Sequence, residues 1–452
     1  MCDDLGGFGD ARLRRIGGRL LAALQDQPTL CLQALAESRN EAVQFGRFLD
    51  NEAVSADEML VQAARHCSQR AAGRHVLAIQ DTTELHFATH RASKRGFGAA
   101  GNGHDIGLFL HPVLAVDAQS GGIIGLVGAQ VMNRTDGPAA DRRRRDAEAK
   151  ESRRWLAGAE QAGAALDEAA MLTVVADSES DVYDQFARRP QRVHLLSRAA
   201  QDRCLEGGGR LFGTVASWPE QDRYAIALPQ RGARPARSAT VALRFGELTL
   251  KRPARAARSL AASVTLRVVD ATEIDPPPGE EPIRWCLLTT HTLGDVGAAR
   301  QIIAWYRARW TIEQVFRTLK SAALQAEASQ VSEARRFIKL VVAGLIAAVR
   351  VMQIVLARDG STGQPLSDAA DPAEQPMLTA LNARLEGRTG KLRNPHPPTS
   401  LAWFAWIIAR LGGWSGYTSK GYKPPGPKTI ARGLHKLDAI SNGWKLARSG
   451  LV

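Results

Sequence analysis

Cysteine is scarce in this 452-residue chain: Cys2, Cys31, Cys67, Cys204 and Cys286 stand scattered, with no CxxC pair among them. An odd, dispersed set excludes a disulfide framework and a thiolate zinc cluster, and reads as reduced core thiols. Long hydrophobic runs are also missing. The longest, Leu340 to Val349, is closed by Lys339 and Arg350. It falls well short of the roughly 20 residues that span a bilayer, so it reads as a buried helix. The opening stretch MCDDLGGFGDARLRR has no apolar core of the signal-peptide kind, and a cytoplasmic location is expected. Acid is in deficit: 46 Asp and Glu against 59 Lys and Arg give a net charge of +13. A surplus of base this large favours a polyanionic partner, nucleic acid being the commonest. With 44% hydrophobic and 23% charged residues the chain is globular, not disordered, and its length suggests two to four domains.

What is present changes character along the chain. The first sixty residues read as helices. The first of them carries Arg12, Arg14, Arg15 and Arg19, and Ser55 is placed to cap a later one. This is either a small helical DNA-binding module or a helical cap with a solvated basic face. His75-Val-Leu-Ala-Ile-Gln-Asp81 and Met171-Leu-Thr-Val-Val-Ala-Asp177 are short apolar runs that each end in an aspartate, the pattern of buried strands delivering a carboxylate at the tip. Between them, Leu108 to Asp117 and Gly121 to Met132 predict a hairpin, and Arg142 to Arg145 open a charged helix that contains Lys150, Glu151 and Trp155. Strands interleaved with helices indicate an α/β core. From Ser197 to about Ile283 the texture is β-like, with eight basic residues and one acid, Glu247, between Arg231 and Arg258. Its basic face reads as DNA-contacting, with a merely solvated face the alternative. Residues 359–376 have linker composition, and a smaller helical unit follows.

Two strand-end aspartates and one helix-borne glutamate would supply the hard oxygen ligands that metal-dependent phosphoryl transfer requires. Ala304 to Lys320 supplies that third acid. At roughly 100° per helical residue, Tyr306, Arg309, Glu313 and Lys320 fall within a stripe of about 60°. Trp305, Ile312, Phe316, Leu319 and Ala323 cover the neighbouring arc, the face expected to pack on a sheet. The polar stripe therefore borders the core. Surface pairing of Glu313 with Arg309 and Arg317 is the bland alternative.

Gln80-Asp81-Thr82-Thr83, Ala176-Asp177-Ser178-Glu179-Ser180-Asp181 and Tyr306-x2-Arg309-x3-Glu313-x6-Lys320 together resemble the DDE transposases of bacterial insertion sequences. The last motif resembles the Tyr-Arg-Glu-Lys signature of the insertion-sequence-four family. The likeness runs from Leu5-Gly-Gly-Phe-Gly through Lys150-Glu-Ser-x-x-Trp155 to Pro424-Pro-Gly-Pro-Lys-Thr.

The resemblance implies an α/β fold with an RNase H-like catalytic core (residues 66–358) and an inserted β subdomain at about 197–284. A helical DNA-end-binding domain (1–65) and a helical dimerisation domain (377–452) would flank it. Asp81, Asp177 and Glu313 match the family's metal ligands, for Mg²⁺ with Mn²⁺ able to substitute. Tyr306, Arg309 and Lys320 match its phosphate contacts, and Trp285 sits where the family places a Trp beside a flipped base. Arg198 is the counterpart of a strand arginine, and Arg12 and Arg15 are candidates for contacting DNA from the first helix. The implied activity is cut-and-paste transposition on double-stranded transposon ends and target DNA by a homodimer, through 3′ nicking, hairpin formation and strand transfer. Two departures stand out: Ser178 replaces a basic residue after the second aspartate, and Leu195-Leu-Ser-Arg198 stands for Val-Val-Arg-Ser. A non-catalytic DNA-binding regulator and an RNase H-type nuclease are the alternatives.

Overall fold

The computed structural model describes residues 5–26, 29–87, 92–101, 105–135, 153–228, 235–322, 324–416 and 424–448. Four helices lead: α1 (Ala11–Asp26), α2 (Leu32–Leu35), α3 (Arg39–Asp50) and α4 (Ala56–Ala71). Ser38 caps α3 and Ser55 caps α4, each side-chain oxygen accepting the N–H three residues on.

The middle of the chain builds one mixed sheet from β1 (His75–Gln80), β2 (Thr83–His86), β3 (Gly98–Ala99), β4 (Ile106–Asp117), β5 (Ile123–Met132), β6 (Met171–Ala176), β7 (Val193–Arg198), β8 (Asp222–Leu228), β9 (Arg237–Lys251), β10 (Ser263–Glu273) and β11 (Arg284–Thr289). Interleaved helices are α5 (Arg153–Ala165), α6 (Tyr183–Arg188) and α7 (Leu211–Ala216). The strand order is β2-β4-β1-β6-β7-β11-β10-β9-β8, with β3 and β5 also paired to β4. β1, β6 and β7 run parallel and their neighbours antiparallel. The expected hairpin is β4–β5, turned at Gly121, whose φ of +71° suits a residue without a Cβ. The predicted charged helix from Arg142 to Glu151 lies outside the described residues; its helix is described from Arg153.

The inserted β segment does not form a sheet of its own. β8, β9 and β10 zip antiparallel, and β11 returns to pair with β7 at Leu196 to Arg198, so the insertion prolongs the central sheet.

After β11 come α8 (Val296–Ala308), α9 (Trp310–Arg317), α10 (Ala334–Ala357), α11 (Gln375–Leu385), α12 (Leu401–Leu411) and α13 (Pro427–Arg448). By composition α10 is apolar enough to cross a membrane, but 83% of its apolar window is buried within the protein. It is the central helix of the core on one sheet face, as the flanking charges of its apolar run suggested. Helices from both ends of the chain pack into that same core, with Leu20, Phe48, Phe404 and Leu437 among its buried members. The opposite face is covered by α5, α6 and α7 over Val76, Ala78, Val174 and Leu195.

The linker-like stretch 359–376 is instead an ordered strap. Asp368, 1% exposed, takes two hydrogen bonds from Arg74 at 2.7 and 3.0 Å, and the Gln353 and Gln364 amides satisfy its backbone and side chain. Its Pro, Gly and Ser content reads as flexible only because its partners lie elsewhere in the chain.

Candidate active site

Strand alternation decides which side chains meet. In β1, Val76, Ala78 and Gln80 face α5, so Leu77, Ile79 and then Asp81 face the α8–α10 layer. In β6 the same parity sends Val175 and then Asp177 to that layer. The parallel register sets Ile79 opposite Val175, so Asp81 and Asp177 follow on neighbouring strand tips at the same level.

α8 and α9 lie over this edge. Arg309, at their junction, keeps helical angles (φ −52°, ψ −33°), so Tyr306, Arg309 and Glu313 share a face as their spacing predicts. Ile312, Phe316 and Leu319 are buried on the adjoining arc and Trp305 is half-buried, while Ala323 lies outside the described residues. The Arg309 guanidinium donates to Asp81 Oδ2 at 2.6 Å and stands 3.8 Å from Glu313 Oε1. Asp81 Oδ1 accepts the Thr82 N–H at 2.8 Å. Burial pushes the Asp81 carboxyl up to about 7; Arg309 pulls it back, and the charges of Asp177 and Glu313 push it up again. Asp81 thus feels both other carboxylates and the Arg309 guanidinium. Burial outweighs the arginine at hydrogen-bond distance, so Asp81 holds its proton more tightly than an exposed carboxyl would.

Tyr306 is buried beside Arg309, and burial raises its hydroxyl pKa while Arg198 and Arg309 lower it. Trp285, half-buried at the start of β11, meets the Tyr306 ring edge-on with centroids 6.2 Å apart. Arg198, on the tip of β7, donates to Ser178 Oγ at 3.1 Å, beside Asp177. Those residues gather at one edge. Lys320 leaves the stripe because the helix widens into a π turn at Thr318–Ala322, where the 100° count fails. Its ammonium instead donates to the Glu84 carbonyl at 2.7 Å and pairs with Glu327 at 3.3 Å. Arg12 and Arg15 are exposed on α1, where Arg15 lines a cleft with Arg14, Arg19 and Arg350 between α1 and α13.

Glu179 and Asp181 have other duties. Asp181, 2% exposed, accepts from the Ala200 and Gln201 N–H groups and from Arg203, a loop brace. Glu179 pairs with Arg154 at 2.8 Å. Among the described residues no three of His, Cys, Asp and Glu are gathered tightly enough to hold a metal ion as they stand. The donor set is nonetheless all hard oxygen, and Arg309 supplies the positive charge among it. Sequence reasoning passed over Arg154 and the half-exposed Trp310, whose ring lies 5.1 Å from the Arg309 guanidinium.

Residues 72–350, more than half of the chain, match the family model of the transposase DDE domain. The chain belongs to that family. Both strand tips and the glutamate-bearing helix of this transposase fall inside the matched span, and its mixed sheet between helical layers is the RNase H-like arrangement of a DDE domain. DDE transposases act on DNA and generally use divalent metal ions, which gives the carboxylate edge its natural reading.

Proposed function

We propose that Asp81, Asp177 and Glu313 are the catalytic, metal-holding carboxylates of a transposase that excises and inserts DNA, with Mg²⁺ as the physiological ion and Mn²⁺ as a substitute. The observation that carries this is geometric: Asp81 and Asp177 stand on adjacent strand tips, and Arg309 bonds Asp81 at 2.6 Å and stands 3.8 Å from Glu313. Bound divalent ions would supply activation of the attacking oxygen and stabilisation of the leaving one. Arg309 then has two states: paired with Asp81 in the bare protein, and free to donate to a DNA phosphate once Asp81 has a better partner. Tyr306, packed between Arg309 and Trp285, orients that guanidinium. Trp285 offers a ring face of the kind that stacks on an unpaired base, a contact worth roughly 1–3 kcal/mol. Arg198 extends the basic lip on the Asp177 side, and Arg12 and Arg15 would hold the terminal duplex from α1.

The finer reading follows the Tyr-Arg-Glu-Lys motif: a member of the insertion-sequence-four group, resembling the transposon five transposase, acting in the bacterial cytoplasm as a homodimer with helical end-binding (1–65) and dimerising (377–452) portions. It would nick the 3′ end, form and reopen a hairpin, and join the end to target DNA. Incubation with a duplex bearing the element's own terminal repeat and Mg²⁺, followed by a denaturing gel, tests this. Nicks, hairpins and joined products are expected, all lost in Glu313→Gln. Binding with no Mg²⁺-dependent product would sink the enzymatic reading, and nicking without joining would reduce the protein to a nuclease.

A further inference from the structure

Behind the carboxylate edge, on the α5 side of the sheet, runs a chain of polar groups, buried at Gln80 and His111 and reaching solvent at Glu179, that the catalytic reading does not use. Gln80, which faces away from Asp81, donates through Nε2 to the Trp155 carbonyl at 3.1 Å. Its Oε1 therefore faces His111 Nε2 at 3.1 Å, and that nitrogen must carry the hydrogen. His111 Nδ1 is then an acceptor and takes the Thr82 hydroxyl at 2.9 Å. The same hydroxyl oxygen accepts from Arg154 Nε at 3.0 Å, since a guanidinium can only donate. Arg154 Nη2 goes on to Glu179 at 2.8 Å. Every hydrogen bond along this path has one permitted direction.

At its Gln80 and His111 end the path is tightly packed as well as polarised. Gln80 and His111 are fully buried, and His111 meets the Trp155 ring edge-on with centroids 4.7 Å apart. A Cβ at Gly158 would lie 2.2 Å from Gln80 Oε1, so α5 approaches the strand as closely as a glycine allows. Two members of the path, Thr82 and Glu179, touch the catalytic aspartates through backbone. Thr82 N–H donates to Asp81 Oδ1 at 2.8 Å, and Glu179 N–H donates to Asp177 Oδ1 at 2.8 Å. Arg154 grips both segments.

We propose that Arg154 is a positioning residue: by clamping Thr82 to Glu179 it sets how the Asp81 and Asp177 carboxylates are presented to a divalent cation. The inference rests on the metal-holding reading of those carboxylates. Thr82 is its relay, and a planar fork is needed because Nε and Nη2 serve different partners at once.

Mn²⁺ binding to the full-length chain without DNA, followed by electron paramagnetic resonance, tests it, with thermal unfolding recorded for each variant. Removing partners that orient metal ligands weakens metal binding roughly 10- to 100-fold. A loss of that size is expected in Arg154→Gln and in Thr82→Val, which keeps the shape and deletes the hydroxyl. Thr82→Ser, which restores it, should bind as wild type. Wild-type affinity in both Arg154→Gln and Thr82→Val overturns the proposal. So does weakening that merely follows a lowered unfolding temperature and is not rescued in Thr82→Ser. Should Thr82→Val fail to fold, Arg154→Gln, at the rim of the site, decides alone. If wild type binds no Mn²⁺, or Asp81→Asn binds it equally well, the metal-holding reading itself fails and takes this inference with it.

Discussion

The parallel strands β1, β6 and β7 carry two different polar clusters at their two ends, on the same face of the sheet. At the C-terminal tips stand Asp81 and Asp177, with Glu313 and Arg309 above them. At the starts stand His75, Thr173 and His194, joined by His291 just beyond β11 and roofed by Trp305. The histidine end is closed on itself. Thr173 Oγ1 bonds His75 Nε2 at 2.9 Å and His291 Nε2 at 2.8 Å, and at most one of the two rings accepts its single hydrogen. His194 stacks on His291 at 4.0 Å. Three clustered histidines invite a metal-site reading, yet their hydrogen bonds are with hydroxyls and their faces with rings. The acid end is the reverse: Asp81 is pushed up by burial and by the charges of Asp177 and Glu313 despite its bond to Arg309, and the Glu313 side chain is 42% exposed. Chemistry belongs where charge is left unbalanced and reachable, not where polar atoms are most numerous.

The largest expected effect breaks this contrast most directly. Asp81→Asn and Asp177→Asn should each cut Mg²⁺-dependent nicking by roughly a thousandfold or more, about 4 kcal/mol of barrier, with binding to the terminal duplex retained. His291→Gln, which keeps a polar nitrogen near Thr173, should stay within about threefold of wild type once folded. Gel assays on the three variants decide; the opposite ranking would move the active centre to the histidine end.

The two ends also respond to pH in opposite senses. Burial, with Asp177 and Glu313 adding to it against Arg309, holds the Asp81 carboxyl at about 7 against an ordinary 3.8. Between those values the folded chain keeps a proton that the unfolded chain has released, so this end loses stability as pH rises from about 4 to 7. His291 is pushed down to about 3 from 6.5 by burial first, then by His194 and His75, so this end loses stability as pH falls below 6.5. Each slope has a limiting value of about 1.4 kcal/mol per pH unit. Denaturant unfolding in chelator from pH 5 to 8 should show Asp81→Asn losing the first slope and His291→Gln the second. Mg²⁺ should flatten the first alone.

Much of the acid end was legible because its signals are local. An apolar run ending in Asp gives a strand and its tip, and the eight residues from Tyr306 to Glu313 give a helical face. The adjacency of β1 and β6 was not legible, since strand order depends on pairings between residues some hundred apart. Arg154 was invisible for the same reason: its partners Thr82 and Glu179 lie 72 and 25 residues away. The strap at 359–376 read as a linker because Asp368 finds Arg74 from 294 residues away. The stripe failed only at Lys320, where the helix changes its pitch.

Lys320 gives the smallest expected effect and sharpens the acid end. Its resemblance-based role is a phosphate contact, whereas in the bare protein it ties the π turn to the Glu84 carbonyl and to Glu327, which in turn accepts the His86 N–H at 3.1 Å. Gln325 just beyond takes a left-handed φ of 48°, so the segment is held in shape by such ties. A strut and a phosphate contact leave different marks. Losing the tie in Lys320→Gln should cost about 1 kcal/mol in unfolding measurements, whatever the salt. Losing a phosphate contact lowers the dependence of log affinity on log salt by about 0.9. We expect both, because one ammonium can exchange the Glu84 carbonyl for a phosphate when DNA arrives. A salt slope unchanged in Lys320→Gln but reduced in Arg309→Gln would confine the phosphate contact to Arg309 and leave Lys320 as a strut beneath it.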